Sequence, residues 1–142
     1  MQYGQQEIVD WVVFRQARAE LGAGFVRILG YFREDGTVSV AKVEDAMRKR
    51  DAAALVLPAH TLKGEARQFG AEPLAALAEK IEVTARRCVE DRDTPDELVH
   101  DVVQLRPLFE QTLALFDRET NPLVDRRPVF GRRPQPGQFG RA

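Results

Sequence analysis

The spacing of apolar residues between Leu55 and Phe69 constrains this chain more than any other feature. Leu55, Ala59, Leu62, Ala66 and Phe69 recur at alternating steps of four and three. That is the period of one helix face, and a face so uniformly apolar has to be buried. The stretch predicts a helix laid into a core, and every neighbouring segment must supply part of that core.

His60 lies roughly 140° around the helical wheel from the centre of this stripe, which puts its imidazole in solvent. Lys63, Gly64 and Arg67, at i+3, i+4 and i+7, share its side. A glycine inside a helix costs about 1 kcal/mol relative to alanine and is tolerated mostly where a backbone or ligand must come close. Gly64, one turn beyond His60, therefore leaves the ring open to a visiting molecule.

The run Ala59-His60-Thr61-Leu62-Lys63-Gly64, followed by Phe69-Gly70-Ala71, Leu74, Leu77 and the pair Ile81-Glu82, resembles the histidine phosphotransfer (HPt) family of bacterial multistep phosphorelays. The resemblance is close from Asp51 to Glu82 and extends loosely over most of the chain. It implies that His60 accepts a phosphoryl group, that Lys63 offsets phosphoryl charge, and that Glu82 reaches back from the next helix to orient the ring. The implied partners are receiver domains of hybrid histidine kinases and response regulators, docking on Leu57, Gly64, Arg67, Gln68 and Ala71. Mg²⁺ is expected on the partner's receiver domain, with no cofactor or metal bound by this chain. One departure stands out: the family usually has a small residue after the Lys-Gly pair, and here it is Glu65. A carboxylate so near a phosphate repels it, so Glu65 is expected to turn aside toward Arg67 or a basic partner.

The chain has 142 residues, which suits one domain. With 21 basic against 22 acidic residues, the overall field gives no case for nucleic acid. The single cysteine, Cys88, excludes an internal disulfide and a cysteine-rich metal site, and its apolar helical position reads as a core thiol. The amino terminus lacks the pattern of a signal peptide, and no apolar run approaches the ~20 residues that span a bilayer. The expectation is a cytoplasmic monomer.

The chain is expected to form helices throughout. A first begins near Ile8 and ends at Gly22 and Gly24. A second carries Phe25, Ile28, Leu29 and Phe32, and is expected to stop at the turn signal Arg33-Glu34-Asp35-Gly36. A third, capped by Thr37 or Ser39, carries Val40, Val43 and Met47. Asp51 caps the His60 helix, which is expected to continue through a kink at Pro58. Gly70 closes it and Glu72-Pro73 opens the next, with the stripe Leu74, Leu77, Ile81, Thr84 and Cys88. Thr94 caps a last helix with Leu98, Val102, Leu105, Phe109, Thr112 and Phe116, bent at Pro107. The resulting fold class is all-α: an antiparallel four-helix bundle with one or two additional short amino-terminal helices, over residues 1–118. Residues 119–142, with five arginines against one aspartate from Asn121 on, read as an irregular, mobile basic tail.

Other readings compete at the level of residues. His60 could be incidental to a helical adaptor that binds a partner helix. It could also belong to a kinase-derived dimerisation domain, although such segments usually follow the histidine with an acid and here Thr61 follows. Glu97 and His100 have the Glu-x-x-His spacing of di-iron bundles, but only one copy is present and a metal site is not expected. With no glycine-rich ATP lid in the sequence, the function expected is that of a phosphocarrier without autokinase apparatus.

Overall fold

The computed structural model describes residues 8–120. They form an all-helical bundle of five helices: α1 (Trp11–Leu21), α2 (Phe25–Arg48), α3 (Ala52–Gln68), α4 (Glu72–Asp91) and α5 (Val99–Thr120). Short 3-10 turns at Gly22–Gly24 and Asp96–Leu98 precede α2 and α5. Helices α2 to α5 are the antiparallel bundle, and α1 is the short amino-terminal addition. None of these helices is long and apolar enough to cross a membrane. Most of the segment read as a basic tail, from residue 121, lies outside the described residues, and α5 continues past the expected limit at 118 as far as Thr120.

One long helix, α2, replaces the two short ones expected around Gly36. The reason is packing: a Cβ on Gly36 would lie 2.5 Å from Cε1 and 2.7 Å from Cζ of Phe109. This glycine therefore admits an aromatic ring against the helix backbone and does not end the helix. The two expected caps sit inside α2 as well. Thr37 Oγ1 donates back to the Arg33 carbonyl at 2.7 Å, and Ser39 is buried.

The other boundaries follow local chemistry. Asp10 caps α1, its carboxylate accepting from Val12 N at 3.0 Å. Asp51 caps α3 by accepting from Ala54 N at 3.1 Å. Pro58 lies inside α3 and Pro107 inside α5, and both helices continue through them. At the start of α5 no side chain caps the 3-10 turn, so Thr94 does not have the role expected of it. The acids there are used across the bundle instead, Asp96 pairing with Arg50 and Glu97 with Arg87.

The core is aromatic at its centre. Phe14, Phe25, Phe32, Phe69, Phe109 and Phe116 are all buried and in mutual ring contact, joining α1, α2, α5 and the end of α3. The α3–α4 turn is bound to the amino-terminal segment, since Asp10 N donates to the Gly70 carbonyl at 2.8 Å. Gly70 has φ +83°, and a Cβ there would meet the Asp10 carbonyl oxygen at 2.5 Å, so both backbone conformation and space require glycine.

Candidate functional site

The α3 stripe is buried along its whole length, with Leu55, Ala59, Leu62 and Ala66 fully inaccessible and Phe69 nearly so. One residue on from Ala59, the His60 side chain is 54% exposed. Its position follows directly from the anchoring of the opposite face.

The buried face of α4 is formed by Leu74, Ala75, Ala78, Ile81, Ala85 and Cys88, and it includes one acid, Glu82, whose side chain is only 6% exposed. A carboxylate in such a place has to be paired. Three groups pair it. His60 Nδ1 lies 3.0 Å from Oε2. Arg86, one turn further along α4, donates to the same oxygen from Nε at 3.1 Å and Nη2 at 2.9 Å. Lys63 Nζ lies 2.8 Å from Oε1. Burial pushes the Glu82 carboxyl up, but hydrogen bonds from Lys63, Arg86 and His60 outweigh it and bring its pKa down to about 2.

That assignment fixes the imidazole. An ionised carboxylate only accepts, so the ring nitrogen facing it must carry the proton. With Nδ1–H donating to Glu82, the neutral form of the ring has its lone pair on Nε2. Around it stand one anion, Glu82, and two cations, Lys63 and Arg86.

The surroundings are open. Gly64 is exposed, and a Cβ built on it meets nothing within 4 Å. Unlike Gly36 and Gly70, it is not required by the packing of this chain. Leu57, one turn before His60, is 70% exposed, and Val83, next to Glu82, is another exposed apolar side chain. Gln68 is exposed at the end of α3.

Three residues stand differently from the sequence-based expectation. Ala71 is fully buried, its N–H bonded to the Ala66 carbonyl at 2.9 Å, so it belongs to the core of the α3–α4 turn and not to an exposed rim. Arg67 is committed to α4: Nε donates to Glu72 at 3.1 Å and Nη2 to Glu79 at 3.3 Å. Glu65, expected to turn aside toward Arg67 or a basic partner, instead meets Asp35 of α2. Burial raises its carboxyl, and the Asp35 carboxyl raises it further, to about 7. Arg86 and Asp35 were not singled out from the sequence. The i,i+4 spacing of Glu82 and Arg86 was the available signal for the first, whereas Asp35 lay in a stretch read as a turn.

Away from the site, burial pushes the Cys88 thiol up, in keeping with a core residue. His100 Nε2 lies 2.8 Å from Gln104 Nε2 while Glu97 pairs with Arg87, so these two do not converge on a common point. Among the described residues no group of three or more potential ligands is placed to hold a metal.

A model of the Hpt domain matches residues 27–115, from α2 through most of α5. Among solved structures, the chain is similar to the crystal structure of histidine-containing phosphotransfer protein B (HptB) from Pseudomonas aeruginosa PAO1. The identity is 25% and the TM-score 0.68, with 79% of this chain and 93% of that one covered. No curated relative matches the chain. The helical bundle and the matched segment together show that this chain belongs to the Hpt domain family.

Proposed function

We propose that this protein is a phosphocarrier in which His60 Nε2 takes a phosphoryl group from the aspartyl phosphate of one receiver domain and delivers it to the aspartate of another. The observation that supports this most is the placement of the ring, its side chain 54% exposed and its Nδ1 tied to a buried carboxylate. A neutral imidazole nitrogen is a good nucleophile near neutral pH, and the resulting phosphoramidate remains reactive enough to pass the group on. Phosphoryl transfer needs little covalent chemistry from the protein and much positioning and charge. Lys63 and Arg86 supply the charge, and Glu82 the positioning. Mg²⁺ and the acidic pocket belong to the visiting receiver, which approaches over Gly64, Leu57 and Val83. On this reading the protein acts as a monomer in the cytoplasm and does not phosphorylate itself from ATP.

The test is incubation with a phosphorylated receiver domain. The expected result is acid-labile phosphate on His60, lost in His60→Gln with the fold intact. Label retained in that variant would remove the site. A chain that takes no label at all is an adaptor.

A further inference from the structure

We propose that the groove between α4 and α5 is the seat of this chain's own carboxyl-terminal segment, with Val129 and Phe130 filling it and the arginines on either side lying along its rims. The residues lining this groove take no part in the His60 cluster, so the proposal does not depend on phosphoryl transfer.

The groove has a volume of about 570 Å³, a size that takes a small ligand or a few side chains. Its walls are Pro73, Ala76 and Leu77 of α4 and Val103, Pro107 and Leu108 of α5. Alanine and proline have short side chains, so the two helices do not fill the space between them. Val103 is 68% exposed, and Val99, one turn before it, is exposed as well. Lys80 also lines the groove, with its charge offset by Asp101 at 3.1 Å. An apolar surface of this kind, rimmed by polar residues, marks a place where something docks.

The occupant follows from length, sequence and charge. Helix α5 ends at Thr120, and residues 121–142 follow it. At 1.5 Å per residue, Leu108 and Val103 stand about 18 and 26 Å back along the helix from Thr120. An extended chain advances up to ~3.3 Å per residue, so Val129 and Phe130 reach about 30–33 Å from Thr120. A reversal at Asn121-Pro122, a dipeptide that favours a turn, brings the pair over Leu108 and Val103. Leu123 and Val124 reach only the mouth of the groove at Gln111.

Arg126-Arg127 precede this apolar pair, and Arg132-Arg133 follow it after Gly131. The α4 rim carries Glu72 and Glu79, each one turn from Ala76, and the α5 rim carries Glu110, one turn from Pro107; all three are exposed. Arg67 pairs with both Glu72 and Glu79, and two carboxylates against one guanidinium leave an excess of negative charge on that rim. The arginines of the segment complement it. A second copy of the chain is the competing occupant, but a tethered segment is present at an effective concentration on the order of millimolar without any association.

The experiment uses the full chain. A nitroxide is attached at Gly131→Cys, Cys88 being buried and out of reach of the label. Paramagnetic broadening is read at the methyl groups of Leu77, Val103 and Leu108, with Leu57 and Val83, beside His60, as controls. The expected result is loss of the groove signals and retention of the controls. Adding Phe130→Asp should return the groove signals to the control level, and so should Val103→Lys, a change at an exposed position. Broadening no greater in the groove than at the controls would overturn the proposal. Broadening undiminished by Phe130→Asp would do the same. So would groove broadening that appears when nitroxide-bearing chains are mixed with isotope-enriched chains lacking the label, because the occupant would then be a second copy. None of these readouts involves phosphate, so they stand apart from the test of His60.

Discussion

Glu65 of α3 and Asp35 of α2 meet carboxyl to carboxyl, and burial together with that neighbour lifts the Glu65 pKa to about 7 from an ordinary 4.5. The folded chain therefore holds a proton there that the unfolded chain releases. The stability this contributes is complete below pH 4.5 and is lost as pH rises through 7. Glu82 behaves in the opposite sense: its pKa falls to about 2, so its contribution is complete above 4.5 and disappears as pH drops toward 2. Urea unfolding should accordingly show lower stability at pH 8 than at pH 5. The Glu65 share is on the order of 2 kcal/mol after allowance for a partly solvated group. In Glu65→Gln that decline should flatten. An unchanged slope would mean the two carboxyls do not share a proton.

The glycines separate into those the fold needs and one it does not. Gly64→Ala should raise helix stability by about 1 kcal/mol, because the new methyl meets empty space. Gly64→Gln should leave the chain folded yet weaken receiver binding, measured by titration calorimetry. If binding to a receiver is untouched by the larger side chain, the open position beside His60 is not an approach path.

Gly36→Ala should cost about 1–3 kcal/mol, since its Cβ would overlap the Phe109 ring and the ring or α2 must move. Gly70→Ala should be at least as damaging, because a positive φ and the Asp10 carbonyl both oppose a side chain. Thermal unfolding of the two variants checks this. A neutral Gly36→Ala would show that α2 and α5 do not pack as closely as the Gly36–Phe109 approach requires.

Lys63→Ala removes one of the two cations on Glu82 while leaving Arg86 in place. Transfer should slow by roughly tenfold with receiver affinity nearly unchanged, because on the proposed function the lysine acts on charge that develops during the reaction. A loss confined to affinity would make Lys63 a docking residue.

How much of this could be read from the residues depends on the range of the forces involved. The α3 stripe is a repeating local pattern, and it alone predicts an exposed His60. The caps at Asp51 and Gly70 are equally local. Gly36 reads as a turn because a glycine after Glu34-Asp35 has the composition of one, and the ring that explains it lies 73 residues later in Phe109. With a break at Gly36, Asp35 has no place opposite Glu65, and Arg67 or a basic partner is the expected neighbour. Ala71 is hard to place for a related reason: a small residue after a glycine carries no sign of which side of a turn it occupies. The Glu82–Arg86 pair was legible in spacing, but its meaning depends on Glu82 being buried.

The helix that bears His60 ends in Phe69, whose ring touches those of Phe25, Phe32 and Phe116. Interlocked rings of this kind resist small displacements of the helices they join. On the proposed function, a group arriving on His60 would find a stiff mount, and the message would travel as the covalent cargo itself, not as an altered shape.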